Sequence, residues 1–337
     1  MHAIVCHEPG TLLLEDRPEP SPALGEVLVQ IRRVGICGTD FHIFEGSHPF
    51  LDYPRVMGHE LSAEVLEAPA GIGLKPGQPV IINPYLSCGT CHACRIRKPN
   101  CCMCIAVLGV HRDGGMCERL SVPADNLYPA GGLTLDQAAT VEFLAIGAHG
   151  VRRSGIVNGA PTLVIGAGPI GLGTAIFATI AGGIVTLMDR DRHRLAVAAA
   201  IVQAARAVVA DENAREVISA QTGGNGFDIV IDATGNRTSM ETGFHYVAHG
   251  GTYLLLSVVR DDIAFSDAEF HKREMTLMGS RNALKADFDH VIASIAAGKV
   301  PVVNLITHRT TLADGVTDLP RWATNKLGLI KALISVG

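Results

Sequence analysis

Through the first 150 residues, apolar and polar positions alternate in short stretches, each cut off by glycine or proline. Glu26–Arg32, Val80–Asn83 and Leu120–Pro123 are examples. A short alternating run between turn residues is a strand's pattern, and a series of them predicts a barrel-like β domain carrying loops. From about Pro161 the texture changes. Strand candidates at Thr162–Ile165, Ile184–Met188, Ala207–Ala210, Asp228–Asp232 and Thr252–Ser257 alternate with helix-like stretches, notably Arg192–Gln203. This alternation predicts a doubly wound parallel sheet, so the fold class is α/β. Past Ala286 we expect a helix at Phe288–Ala297, extended chain over Val300–Thr307 and a final short strand at Gly328–Leu333, returning the chain to the first domain.

One run has a competing interpretation. Thr162–Met188 is 27 residues without a charge, long enough for a membrane span. Six of those residues are glycine, and Gly182-Gly183 breaks any helix before the far end. Strand, glycine turn, helix and second strand explain it better, and no membrane partner is expected. At 337 residues the chain calls for about two domains. Its net charge of −5 argues against nucleic acid as a partner. Met1–Glu8 has neither the charged start nor the apolar stretch of a signal peptide. A reducing cytoplasm is therefore expected, where thiols bind metal or stay free.

Thr162-Leu-Val-Ile runs into Gly166-Ala-Gly168-Pro169-Ile170-Gly171, a strand entering G-x-G-x-x-G. Gly166 permits the tight turn, Gly168 lets the backbone approach a pyrophosphate, and Gly171 lets helix and strand pack closely. The helix N-terminus then presents free N–H groups to the phosphates. Asp189, 18 residues after Gly171, falls at the end of the next strand, where an acid accepts hydrogen bonds from the adenosine ribose. Its other reading is a cap on the following helix. Arg190 and Arg194 would suit a 2′-phosphate that Asp189 repels, so NAD is expected over NADP. Pro169, Ile170 and Thr234 complete the expected cofactor residues.

Of nine cysteines, six fall within seventeen residues, and Cys88, Cys91, Cys94 and Cys102 spell C-x2-C-x2-C-x7-C. Two residues between thiols let a tight turn aim both sulfurs at one ion, and four thiolates form the closed tetrahedral set of a structural zinc. Disulfides are the alternative, disfavoured in a reducing compartment. Upstream stand Cys37-Gly38-Thr39-Asp40-Phe41-His42 and Gly58-His59-Glu60. Cys37 or His59 alone would be read as packing; together, beside a dinucleotide fold and a thiolate cluster, they suggest a second metal.

These motifs, in this order, resemble the zinc-dependent medium-chain alcohol and polyol dehydrogenases over nearly the full length. The resemblance implies a GroES-like β-barrel catalytic domain (1–149 and 287–337, with a structural zinc lobe at 86–105) and a Rossmann dinucleotide domain (150–286). It implies two zincs per chain: a structural one on Cys88, Cys91, Cys94 and Cys102, and a catalytic one on Cys37, His59 and Glu142. Polyol-type relatives commonly carry Glu-Pro where Glu142 is followed here by Phe143. Glu60 is placed beside the metal, and Thr39 and His42 match the family's proton relay. The resemblance further implies a homo-oligomer, dimer or tetramer. Glu269–Lys272, Gly279–Ala283 and Gly109–Gly115 look like bacterial sugar-acid dehydrogenases, which oxidise a secondary hydroxyl of hexonates such as L-galactonate or L-gulonate. Arg281 or Lys272 would meet the substrate carboxylate, with Asn282 beside it. Alternatives are an amino-alcohol (threonine-type) or simple-alcohol dehydrogenase, a zinc-free quinone reductase, and a non-catalytic dinucleotide-binding protein.

Overall fold

The computed structural model describes residues 1–48, 51–204 and 206–337. They divide into one unit of Met1–Glu142 with Leu284–Gly337 and a second of Phe143–Ala283.

In the first unit the strand Glu26–Ile36 organises a seven-stranded sheet. Val27, Val29 and Ile31 alternate into the core, as a period of two requires. This strand pairs antiparallel with Glu60–Glu67, Arg119–Pro123 and Lys331–Ser335. Pro79–Ile82 and Leu127–Pro129 extend the sheet on one side, and Ile306–Thr311 closes it on the other. The register sets Gly35 opposite Glu60, and Ile36 opposite Ala332. One end of the central strand therefore gathers three distant segments. A second small sheet joins His2–Glu8, Thr11–Asp16 and Arg55–Val56, and both sheets contribute to one apolar core.

The second unit is a sheet of six parallel strands. Their spatial order is Arg206–Val209, Ile184–Asp189, Pro161–Ile165, Phe227–Asp232, Val247–Leu255 and Thr276–Gly279. Numbered along the chain this is 3-2-1-4-5-6, the doubly wound order that binds dinucleotides where the strand sequence reverses.

Three local expectations need correction. Residues 300–307 are not extended throughout: Val302–Leu305 is a helical turn before the strand Ile306–Thr311. Val302 and Leu305 are buried while Val303 is exposed, so a three-residue spacing serves the core where alternation would not. Leu135–Ala139 and Val141–Ser154 are helices within the stretch read as β-rich. Thr134 starts the first of them, accepting the Gln137 N–H while Gln137 reaches back to the Thr134 N–H. Finally, the closing strand is Lys331–Ser335, set later by the turn at Gly328.

Candidate active site and metal donors

Cys37 ends the central strand and begins the helix Gly38–Phe44. Asp40, fully buried, accepts the backbone N–H of Cys37 at 2.8 Å and that of Gly58 at 3.3 Å. One carboxylate thereby fixes the two loops that carry Cys37 and His59. It also lies 4.0 Å from Nδ1 of His59. Donor atoms of Cys37, His59 and Glu60 lie within 4.8 Å of one another, with both His59 and Glu60 buried.

Glu142 enters from the first turn of Val141–Ser154 and is also buried. The Tyr85 hydroxyl donates to its Oε1. Among the described residues its Oε2 has no hydrogen-bond partner, and neither has His59 Nδ1. Burial pushes the Glu142 carboxyl up to about 7, reinforced by the charge of Glu60. Burial works against charge on His59 as well. The hydrogen-bonded Cys37 sulfur, then Asp40 and Glu142, outweigh it and raise the ring's pKa well above the ordinary histidine value. A group surrounded in this way is short of positive charge. The thiol, imidazole and carboxylate that the structure brings within one ion's reach are those of Cys37, His59 and Glu60, a donor set that fits zinc; Glu142, expected as the third donor, is not in that group, although its charge acts on His59.

One buried cation beside this set had no expected part in it. Lys331, on the final strand, donates to both Glu60 oxygens at 2.6 and 2.7 Å and to the Ile36 carbonyl at 3.1 Å. Burial would lower its pKa, but Glu60 and, behind it, Cys37 more than offset this and raise it. Gly35 makes room for the pair, since a Cβ there would strike the Glu60 carboxylate. Of the expected relay, Thr39 Oγ1 lies 3.8 Å from the Cys37 sulfur. His42 is exposed, with Ser47 Oγ at 3.2 Å from its Nδ1.

The cysteine lobe has the geometry its spacing predicts. Sulfurs of Cys88, Cys91, Cys94 and Cys102 lie within 4.8 Å of one another. Individual pairs stand at 3.5 Å (Cys91–Cys94, Cys88–Cys102) and 3.8 Å (Cys91–Cys102). These are distances between thiols, not disulfides, and all nine cysteines are free. Backbone N–H groups of Thr90 and Cys91 aimed at the Cys88 sulfur pull its thiol down to about 6, which favours the thiolate a metal needs. Cys101 and Cys104 are exposed; Cys6 and Cys117 are buried, as expected for small apolar residues.

In the second unit Gly166 has a positive φ of 99°, and a Cβ at Gly171 would collide with the Gly166 carbonyl. Gly168 then opens the helix Pro169–Ile180 with proline in its first turn. Asp189 accepts the Ala167 N–H at 2.7 Å and the Asp191 N–H at 2.9 Å, tying the glycine turn to the next strand. The helix cap is Asp191, which accepts from His193 and Arg194. Arg190 and Arg194 are exposed. Thr234 donates through both N–H and hydroxyl to Asp232. Asn282 has a left-handed φ of 53°, and Arg281 beside it is exposed.

Residues 23–132 match the family model of the alcohol dehydrogenase GroES-like domain, and residues 169–297 that of the zinc-binding dehydrogenase. L-galactonate-5-dehydrogenase of Escherichia coli K12 is 41% identical over 336 residues, 99% of each chain. The chain belongs to the zinc-binding dehydrogenase family.

This zinc-binding dehydrogenase superposes on an alcohol dehydrogenase of Escherichia coli CFT073 complexed with NADH, with a TM-score of 0.93, 28% identity and 99% of each chain covered. A zinc-binding dehydrogenase of Sinorhizobium meliloti 1021 bound to NADP gives 0.90 at 28% identity, over 99% of this chain and 98% of that one. The family resemblance read from the motifs, the α/β fold it implied and the oxidoreductase class are borne out. Among the described residues, no helix of this dehydrogenase is long and apolar enough to cross a membrane.

Proposed function

We propose that this dehydrogenase oxidises a secondary hydroxyl of a sugar acid, or a closely related polyol, with NAD as hydride acceptor. The observation that carries the substrate class is the likeness to L-galactonate-5-dehydrogenase along 99% of both chains. The first unit, read from sequence as 1–149 and 287–337, is the catalytic one. The second, read as 150–286, binds the dinucleotide.

In this reading Cys37, His59 and Glu142 hold a catalytic zinc, and Cys88, Cys91, Cys94 and Cys102 a structural one. The catalytic zinc supplies Lewis acidity, lowering the pKa of a substrate hydroxyl enough for its proton to leave near neutral pH. Cys37 thiolate and Glu142 carboxylate balance the ion's charge, His59 completes the set, and Asp40 keeps Cys37 and His59 in place. Thr39 receives the substrate proton, and exposed His42 delivers it to solvent. Gly166, Gly168, Pro169, Ile170 and Gly171 cradle the pyrophosphate, helped by Thr234. Asp189 holds the ribose and disfavours a 2′-phosphate, although Arg190 and Arg194 flank it. Arg281 and Asn282 orient the substrate carboxylate. We place the enzyme in the cytoplasm as a dimer or tetramer.

The test is turnover of hexonates, hexitols, amino alcohols and simple alcohols with NAD and NADP, followed by coenzyme absorbance. Hexonates with NAD should be fastest, and Cys37→Ala should abolish turnover while the fold survives. Preference for simple long-chain alcohols, or full activity in Cys37→Ala, would overturn the reading.

A further inference from the structure

The glycine-rich stretch Gly109–Gly115 lies against the three residues that lead into His59. Gly114 N–H donates to the Val56 carbonyl at 2.7 Å, and Gly115 N–H to that of Gly58 at 2.9 Å. Met116 N–H donates to the Met57 carbonyl at 2.9 Å. In return, Asp113 Oδ1 accepts the Val56 N–H at 3.1 Å. Every carbonyl of Val56–Gly58 is thus bound by the short run that follows Asp113.

The two backbones meet with no side chain between them. A Cβ on Gly114 would stand 2.2 Å from the Gly58 carbonyl oxygen, and one on Gly109 2.8 Å from that same oxygen. Gly58 itself has a φ of 93°, and its own Cβ would strike Val34 at 2.8 Å. Only glycine permits an approach this close. Met116, fully buried, carries the loop onward, its carbonyl accepting the Ile4 N–H at 2.8 Å.

Asp113 latches this loop down. Its Oδ1 also accepts Arg55 Nη1 at 3.1 Å, and its Oδ2 faces Arg17 Nη2 at 3.6 Å. Arg55 and Val56 pair with Cys6 and Val5, so the latch closes on a segment already fixed in a sheet. The Asp113 side chain is 44% exposed, and water leaves little stability in such ion pairs. What the carboxylate supplies is position. The approach to His59 is held from two directions, by Asp40 on the Gly58 N–H and by Asp113 with its loop on the Val56 N–H and the three carbonyls.

Resting on the reading that Cys37 and His59 hold a metal, we infer that Asp113 is a positioning residue for His59, acting through Val56–Gly58 to aim the ring at the ion. It meets neither substrate nor cofactor in this role.

Cobalt(II) in place of zinc reports donor geometry by its visible absorption, independently of turnover. Cys37→Ser protein supplies the contribution of the four-thiolate lobe, which is subtracted. Asp113→Ala should shift the remaining bands, weaken cobalt binding at that site about tenfold, and lower kcat more than KM. Asp113→Asn keeps an oxygen for the Val56 N–H and should retain the parental bands and affinity. Arg17→Gln removes only the outer ion pair and should leave both unchanged. If Asp113→Ala does not fold, Asp113→Gln displaces the acceptor from Val56, and the same comparisons apply. Parental bands and affinity in Asp113→Ala, whatever its thermal midpoint, would overturn the inference. Losses as large in Asp113→Asn or Arg17→Gln would overturn it too. Failure of the underlying reading looks different: Cys37→Ser and His59→Ala would then each leave the cobalt spectrum of the parent intact.

Discussion

Asp40 accepts the backbone N–H of Cys37 at 2.8 Å from a fully buried position, and with its other oxygen takes the N–H of Gly58. The residue that fixes the donors is therefore not itself one of the expected donors. Asp40→Ala leaves buried N–H groups unpaired, each costing about 1–3 kcal/mol. We expect a clear fall in thermal midpoint by calorimetry. The milder Asp40→Asn should fold but lose about 10–100-fold in metal affinity. Measured metal content at limiting zinc distinguishes the two.

Tyr85 plays the corresponding part for Glu142. Burial keeps its pKa well above the ordinary tyrosine value, so the phenol holds its proton and donates it. Its hydrogen bond opposes the burial that raises Glu142. Tyr85→Phe should thus raise the Glu142 pKa further and weaken zinc binding about tenfold at neutral pH. The loss should shrink as pH rises, because the carboxylate then forms without help. Zinc titration at several pH values checks this.

Removing one thiol from the lobe should separate the two metals. Cys94→Ser should lower zinc from about two to about one per chain, with a reduced thermal midpoint. Cys37→Ala should also leave about one zinc but should barely move that midpoint. Elemental analysis beside calorimetry reads both.

Away from any metal, Asp136 receives Arg33 at 2.7 Å and Arg309 at 2.7 Å. Burial pushes its carboxyl up, but the two guanidiniums outweigh this and hold it below the ordinary carboxylate range. A depressed folded-state pKa adds stability above the unfolded value, about 3.9, and that stability is lost as pH falls through the folded value. Asp136→Asn should lower the melting temperature at neutral pH and flatten its decline in acid. Melting temperatures from neutral to acid pH for both proteins test this.

Gly171→Ala tests the cofactor turn. The added Cβ meets the Gly166 carbonyl, so the helix must shift away from the turn. We expect a destabilisation of about 1–3 kcal/mol and loss of NADH fluorescence enhancement, while the four-thiolate lobe keeps its zinc.

Features encoded by short spacing were legible from sequence. The glycine turn and its following acid, and the four thiols of the lobe, each lie within a few tens of residues, and the structure assembles them accordingly. Cys37 and His59 were visible as a pair only because each stands in a recognisable motif. Lys331 was not legible, because it is 271 residues from Glu60 and nothing in Leu329-Ile330-Lys331 marks it as other than a strand residue. Gly35 was hidden because sheet register sets it opposite Glu60, and register has no local signature; Tyr85 was hidden because it meets Glu142 across 57 positions of chain. The Val141–Ser154 helix, which carries Glu142, was obscured by the short β-like runs before it.

The first unit leaves its sheet at Glu142 and resumes at Leu284, whereas the second is one uninterrupted segment. A nascent chain can thus complete the parallel sheet while the other sheet still lacks the strand between Glu26–Ile36 and Ile306–Thr311. Until that strand arrives, Glu60 has no ammonium beside it. The order of translation thus allows the parallel sheet of the second unit to form before Lys331 reaches Glu60.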